Sequence, residues 1–326
     1  MFLRVKGHTS MDYVLDPELA AVAAALPKMD LSDLAAARES GQLLFAQPKY
    51  EARIPLTVQD VIVPEGQGTA GVPVCVYASA ERSTPAPALL YLHGCAYVMG
   101  GLAMADFTAR MLVEWAGVTV VAVDYRLAPE HPYPAGLADS YAVLQWAADQ
   151  GEEFGIDPDR LGVLGEGAGG GLAAALTLLA RDRHGPRLTA QFLDAPTIDD
   201  RLDTPSMTTL VDTPIWQCVN SPHSWRHYLQ STAEPGSADV PIYAAPGRAA
   251  LEDLSGLPPA FVTAYQIDPT RDEGLDYARM LIQAGVPTEV YHYAGAFHLA
   301  HVIPGTTIGA RMIGDRIKAI RRMLRV

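Results

Sequence analysis

Along most of the chain, short apolar runs alternate with longer stretches whose apolar residues recur at helical spacing. Residues 88–92 and 118–123 are nearly unbroken apolar runs, the pattern of strands buried on both faces. Further strands are predicted at 52–63, 72–77, 160–164, 188–193, 261–264 and 288–291. Gly66-Gln67-Gly68 and Ala70-Gly71 mark turns between the first two. Helices are predicted at 103–115, 135–149, 172–180 and 273–284, with a basic terminal helix at 308–324. Ahead of all strands, Asp16-Pro17-Glu18 starts a helix that Pro27 stops, and a second is expected over 31–39 with Asp30 as its N-cap. The first ten residues read as an unstructured extension. Residues 196–257 are irregular and rich in Pro, Ser, Thr and Asp, with one helix at 221–229. Strands and helices in alternation predict an α/β fold: a mostly parallel sheet with helices on both faces. Sites in such sheets lie beyond the carboxyl ends of the strands.

One such strand end carries the sequence Val163-Leu164-Gly165-Glu166-Gly167-Ala168-Gly169-Gly170-Gly171. Strand, glycine-rich sharp turn, then helix is the setting of the nucleophile elbow, G-x-S-x-G. The flanking glycines let strand and helix pass closely, and the turn holds its central residue in a strained conformation. The central position here is Gly167, so the elbow has no hydroxyl.

Composition narrows the partners. The formal net charge of −13 argues against nucleic acid and against an anionic membrane surface. Three scattered cysteines form no metal-ligand spacing and imply no disulfide framework, which fits a reducing compartment. No signal-peptide core and no apolar run long enough to span a membrane is present, and a cytoplasmic protein without bound metal is expected.

Acyl transfer needs a nucleophile, a base, a carboxylate to orient that base, and N–H donors for the oxyanion. After the elbow come Asp268, in Asp268-Pro269-Thr270-Arg271-Asp272, and His298, in Gly295-Ala296-Phe297-His298. Position 167, Asp268 and His298 thus follow the nucleophile–acid–base order of α/β-hydrolases. Taken singly, Asp268 reads as a turn residue and His298 as a loop histidine with His292 and His301 as competitors; in this order behind an elbow they read as an acid and a base. His93-Gly94-Cys95-Ala96 matches the loop type that turns backbone N–H groups toward an oxyanion, with Cys95 where glycine is usual. Cys95 is read as a small residue, not as a nucleophile.

These motifs resemble the bacterial hormone-sensitive-lipase family of α/β-hydrolases. The likeness rests on the loop from His93 to Gly100, Asp124-Tyr125-Arg126-Leu127-Ala128-Pro129-Glu130, the elbow, Asp268 to Gly274, and His298. It runs from about residue 15 to the C-terminus. The resemblance implies a carboxylesterase acting on small acyl esters, with no cofactor, and a homodimer through the terminal strand and helix. It implies N-terminal cap helices over 1–50, a catalytic domain over 51–326 and a cap insertion at about 196–257. It implies Asp268 as acid, His298 as base, and Gly94, Cys95 and Ala168 as oxyanion donors. Tyr97, Glu166 and Trp216 are expected at the substrate, Tyr97 as core or pocket wall rather than chemistry; Trp216, Met207, Trp225 and Tyr228 are candidate wall residues that core packing explains equally well.

Glycine at 167 leaves three readings open. A serine was replaced, which retains an ester in an otherwise working site because losing one triad member costs on the order of 10⁴–10⁶ in rate. Or the chain is a natural binding protein that kept the pocket. Or it runs elimination or cyclisation with His298 as base.

Overall fold

The computed structural model describes residues 3–5, 13–44, 50–64 and 71–326. Elements occur in the order β1 Leu3–Val5, β2 Tyr13–Leu15, α1 Pro17–Ala23, α2 Leu34–Leu44, β3 Leu56–Val63, β4 Val72–Ser79, β5 Ala86–Leu92, α3 Leu102–Ala116, β6 Thr119–Val123 and α4 Ala135–Gln150. They continue with β7 Ile156–Glu166, α5 Ala168–Asp182, β8 Leu188–Asp194, α6 Pro205–Thr209, α7 Ser221–Leu229, α8 Leu251–Leu254, β9 Ala260–Ile267, α9 Arg271–Gln283, β10 Thr288–Phe297 and α10 Thr307–Met323.

Eight strands form one sheet in the order β10-β9-β8-β7-β5-β6-β4-β3. The six strands from β10 to β6 run parallel, while β4 pairs antiparallel with both β6 and β3. β5 and β6 are buried at every position, whereas edge strands β3 and β10 carry several exposed positions. The pleat sends successive residues to opposite faces. Leu90, Leu92, Val121 and Val163 pack with α4, α5 and α9 on one side; Leu89, Tyr91, Val120 and Leu164 pack with α3 and α10 on the other.

The N-terminal segment differs from its sequence reading in two places. Leu3–Val5 is a strand paired antiparallel with β2, so the first ten residues are not uniformly unstructured. α2 begins at Leu34 because Asp30 turns its carboxylate onto the Ser32 N–H in a local turn, while Asp33 accepts from the Ala36 N–H three residues on. Asp33, not Asp30, therefore serves the helix start. The turn expected at Gly66-Gln67-Gly68 and Ala70 lies outside the described residues.

The same segment is fixed over the carboxyl ends of the strands. Leu15 and Leu19 pack with Tyr265, Ile267 and Phe297, and Met29, Leu31 and Ala37 pack with Ala96, Val98, Met99 and Trp216. Arg38 donates to the Val98 and Ala128 carbonyls at 2.8 and 3.0 Å and forks onto Glu130. Asn220 joins this segment to the 196–257 region, accepting from the Leu31 N–H and donating to the Met29 carbonyl. Among the described residues no helix is long and apolar enough to cross a membrane.

Candidate active site

β7 delivers the chain to Gly167, and α5 starts at the next residue. Gly167 sits at φ +55°, ψ −117°, in the left-handed half of backbone space that favours glycine. Its N–H donates to the Asp194 carbonyl at 2.9 Å, and its own carbonyl accepts from Thr197 and Gly171. The flanking glycines are steric requirements. A Cβ at Gly165 would stand 2.0 Å from the Gly169 carbonyl oxygen, and one at Gly169 would stand 2.0 Å from that of Leu92. At Gly167 the outcome differs: apart from its chain neighbours, a Cβ would meet only the His298 ring, 3.3 Å from Nε2 and 3.7 Å from Cε1.

His298 follows β10 directly, and Asp268 follows the adjacent β9. His298 Nδ1 lies 2.7 Å from Asp268 Oδ2, and both residues are buried. The Asp268 carboxylate also accepts from the Thr270 N–H at 2.9 Å, which fixes its orientation. A carboxylate accepts, so the imidazole proton resides on Nδ1, and the Nε2 lone pair faces the space over Gly167. The two competing histidines are placed otherwise. His292 is exposed on β10. His301 is buried 3.3 Å from Glu166 Oε1.

A cavity of about 640 Å³ opens here, lined by Gly94, Cys95, Gly167, Ala168, Trp216 and His298, among others. It continues between α3 and α10 past Phe107, Met111, Trp115 and Ile313 to Tyr50, and is mostly apolar. Residues 95, 96 and 97 all have left-handed backbone, with φ of 80°, 61° and 63°. That geometry curls the loop over the elbow, and Ser224 holds it by donating to the Ala96 carbonyl at 2.8 Å. Gly94 passes so close that a Cβ there would be 3.0 Å from the Glu166 carbonyl oxygen. Burial pushes the Cys95 thiol up, which disfavours the thiolate that a nucleophile would need. His93, beneath the loop, stacks on Tyr125 with ring centroids 4.4 Å apart. Burial drives its pKa down to about 4.

Two expected substrate residues are placed differently. The Tyr97 side chain points into the core, where its hydroxyl donates to the Thr197 carbonyl at 2.7 Å and its ring stacks on Tyr228 at 4.0 Å. The left-handed turn at 95–97 directs it there, away from the cavity. Glu166 lines the cavity, but its carboxylate is already engaged, by the Tyr91 hydroxyl at 2.7 Å and Arg316 Nη1 at 2.6 Å. Trp216 does line the cavity, its ring centroid 6.2 Å from that of His298. Met207, Trp225 and Tyr228 are buried and do not line it.

Beneath the elbow lies a charged cluster that the sequence reading missed. Arg316 bridges Glu166 and Asp194, at 2.6 and 3.1 Å. Asp194 also accepts from the Tyr265 and Thr263 hydroxyls, and His301 sits 3.6 Å from it. Burial alone would raise the Glu166 carboxyl; His301, Arg316 and Tyr91 outweigh it and hold it well below the usual range. Glu166, Asp194 and His301 group closely enough to suggest a cation site, but the Arg316 guanidinium already bridges the two carboxylates as their counter-charge. One signal was available. Met312, Arg316, Ile320 and Leu324 recur every four residues and are all buried, so the arginine lies within the apolar stripe of its helix.

A strand–turn–helix elbow, an aspartate–histidine pair aimed at its tip and a covering glycine loop are now in one place, and the profile of the alpha/beta hydrolase fold family matches residues 89–302. The chain belongs to that family. The matched span contains Gly94, Gly167, Asp268 and His298. Carboxylesterase NlhH of Mycobacterium tuberculosis is 39% identical over 263 residues, 79% of this chain and 80% of its own. Esterase LipI of the same organism is 36% identical over 299 residues, 90% and 91% of the two chains. Among solved structures, a bacterial heroin esterase superposes with a TM-score of 0.91 at 39% identity, covering 96% of this chain and 98% of that one. The esterase resemblance read from the motifs agrees with these relatives.

Proposed function

We propose that this site is that of a carboxylic ester hydrolase of the acyl-enzyme type in which glycine stands where the serine nucleophile belongs. The observation that supports it is the direction of the missing side chain: a Cβ on Gly167 would point at His298 Nε2, 3.3 Å away, with Nδ1 already held by Asp268 at 2.7 Å. A hydroxyl on that carbon falls within hydrogen-bonding reach of the base. In the serine form, the residue at 167 attacks the ester carbonyl, His298 takes its proton and returns it to the leaving alcohol, and Asp268 keeps the imidazole in the right tautomer. Backbone N–H groups of Gly94, Cys95 and Ala168 receive the oxyanion, and water then releases the acyl group. The N-terminal segment and parts of the 196–257 region act as the cap, supplying Met29, Tyr50 and Trp216 to the cavity. Two copies pair through edge strand β10 together with α10, which sedimentation of the purified protein checks.

Gly167→Ser tests the reading. Hydrolysis of p-nitrophenyl acetate and butyrate is expected to rise by at least about 10³-fold, with a burst of nitrophenol equal to the enzyme concentration. A folded Gly167→Ser protein without that gain refutes the hydrolase reading. Tight calorimetric binding of the same esters by that inert variant would then favour a binding protein.

A further inference from the structure

Resting on the hydrolase reading, we propose that the chain with glycine at 167 is itself a slow, single-displacement esterase, in which His298 drives a water molecule directly onto the carbonyl of aryl esters. Three observations support this. The base is intact, with Nδ1 held by Asp268 and Nε2 left as an acceptor. The direction in which a side chain at 167 would project meets only the imidazole, so the room taken by a CH₂OH group in a serine enzyme is open to a water within reach of Nε2. That room is continuous with the cavity lined by Gly94, Cys95 and Ala168, where an ester carbonyl is expected to sit.

The reaction balances without an enzyme-bound intermediate. The water oxygen bonds to the ester carbon as Nε2 takes one of its protons, and the carbonyl π electrons move to the oxygen. The tetrahedral species then collapses: the bond from carbon to the leaving oxygen breaks, its electron pair stays on that oxygen, and the proton on Nε2 goes to it. The products are an acid and a phenol, and the imidazole is neutral again. Aryl esters are the appropriate class. Water is a weaker nucleophile than a serine activated in a fixed geometry, so a stable aryloxide leaving group compensates.

The test uses the purified chain with p-nitrophenyl acetate. Turnover is expected to be linear from the first cycle, without a burst, and unaffected by prior treatment with diisopropyl fluorophosphate. Gly167→Ala places a methyl group in the water's position while leaving the base untouched, and is expected to cut the rate about 10²-fold, to the same floor as His298→Ala. Folding of each variant is checked by circular dichroism. Should the alanine variant fail to fold, His298→Gln decides in its place. The proposal falls if Gly167→Ala or either His298 variant keeps the parent rate, if the parent's rate does not exceed that floor, or if a burst appears. Gly167→Ser separates this from the reading beneath it. A serine variant that gains a burst beside an inactive parent overturns only the water route, and an inactive serine variant overturns both.

Discussion

Replacing Arg316 by methionine tests whether the buried cluster beneath the elbow is held together by charge. Methionine keeps most of the apolar stem that packs in the stripe with Met312 and Ile320, and removes only the guanidinium. Two carboxylates then lose their guanidinium: Glu166, left with the Tyr91 hydroxyl and His301, and Asp194, left with the Tyr265 and Thr263 hydroxyls. Deleting one partner of a buried ion network costs about 3–5 kcal/mol, because the surviving charges stay out of water uncompensated. That is a large share of the 5–15 kcal/mol typical of a folded domain. The sign of the pH dependence separates charge from packing. In the parent, Glu166 is held below its ordinary value, so its contribution is present above about pH 4.5 and is lost as the pH falls through the depressed value. In the variant only His301 and Tyr91 still hold the carboxyl down, so less of its contribution is lost on acidification and the deficit shrinks as the pH drops. Urea unfolding at pH 7.5 and pH 4.5 therefore predicts a loss of about 3–5 kcal/mol at the higher pH and a clearly smaller one at the lower. Adding Glu166→Gln and Asp194→Asn to Arg316→Met recovers much of the loss at pH 7.5. A loss under about 0.5 kcal/mol, or one equal at both pH values, refutes the electrostatic account.

Four further outcomes follow from the same geometry. Gly169→Ala drives a methyl group to 2.0 Å from the Leu92 carbonyl oxygen, against backbone that cannot yield, and is expected to lower stability by more than about 4 kcal/mol, read as loss of soluble protein or of the urea midpoint. Gly167→Ser asks a residue with a Cβ to take φ +55°, and is expected to unfold about 1–3 kcal/mol more easily even as it gains activity. In the Gly167→Ser background, Asp268→Asn is expected to lower kcat by about 10²–10⁴ with little change in KM, since the carboxylate orients His298 and touches no substrate. His93 is neutral when folded, with a pKa near 4 against an ordinary 6.5, so its contribution is complete above pH 6.5 and fades as the pH falls toward 4. That amounts to about 2 kcal/mol at pH 5, and the loss between pH 7.5 and 5 should be smaller by this amount in His93→Gln, measured by urea unfolding.

What the sequence made legible depends on whether the relevant physics is local. The central strands declared themselves because a strand buried on both faces must be apolar at every position, and β5 and β6 are. Gly165 and Gly169 carried the elbow because the close approaches they permit are made within a few residues of chain and to one neighbouring strand. Asp268 and His298 were legible from their order, and adjacent parallel strands β9 and β10 then bring them to 2.7 Å. Tyr97 was misread because three left-handed residues reverse the side-chain direction expected of a loop facing a cavity, and no composition rule encodes that turn. Arg316 lies in the terminal helix that its sequence marks only as basic, and it would be one charge among several if that helix stood alone. It becomes the counter-ion of Glu166 and Asp194 only because β7 and β8 end side by side and α10 crosses beneath them, a convergence of three segments from well-separated parts of the chain. The same convergence ties the elbow to the cluster. Asp194 offers its side chain to Arg316 and its main-chain carbonyl to the Gly167 N–H, so a change in the cluster reaches the tip of the turn through one residue.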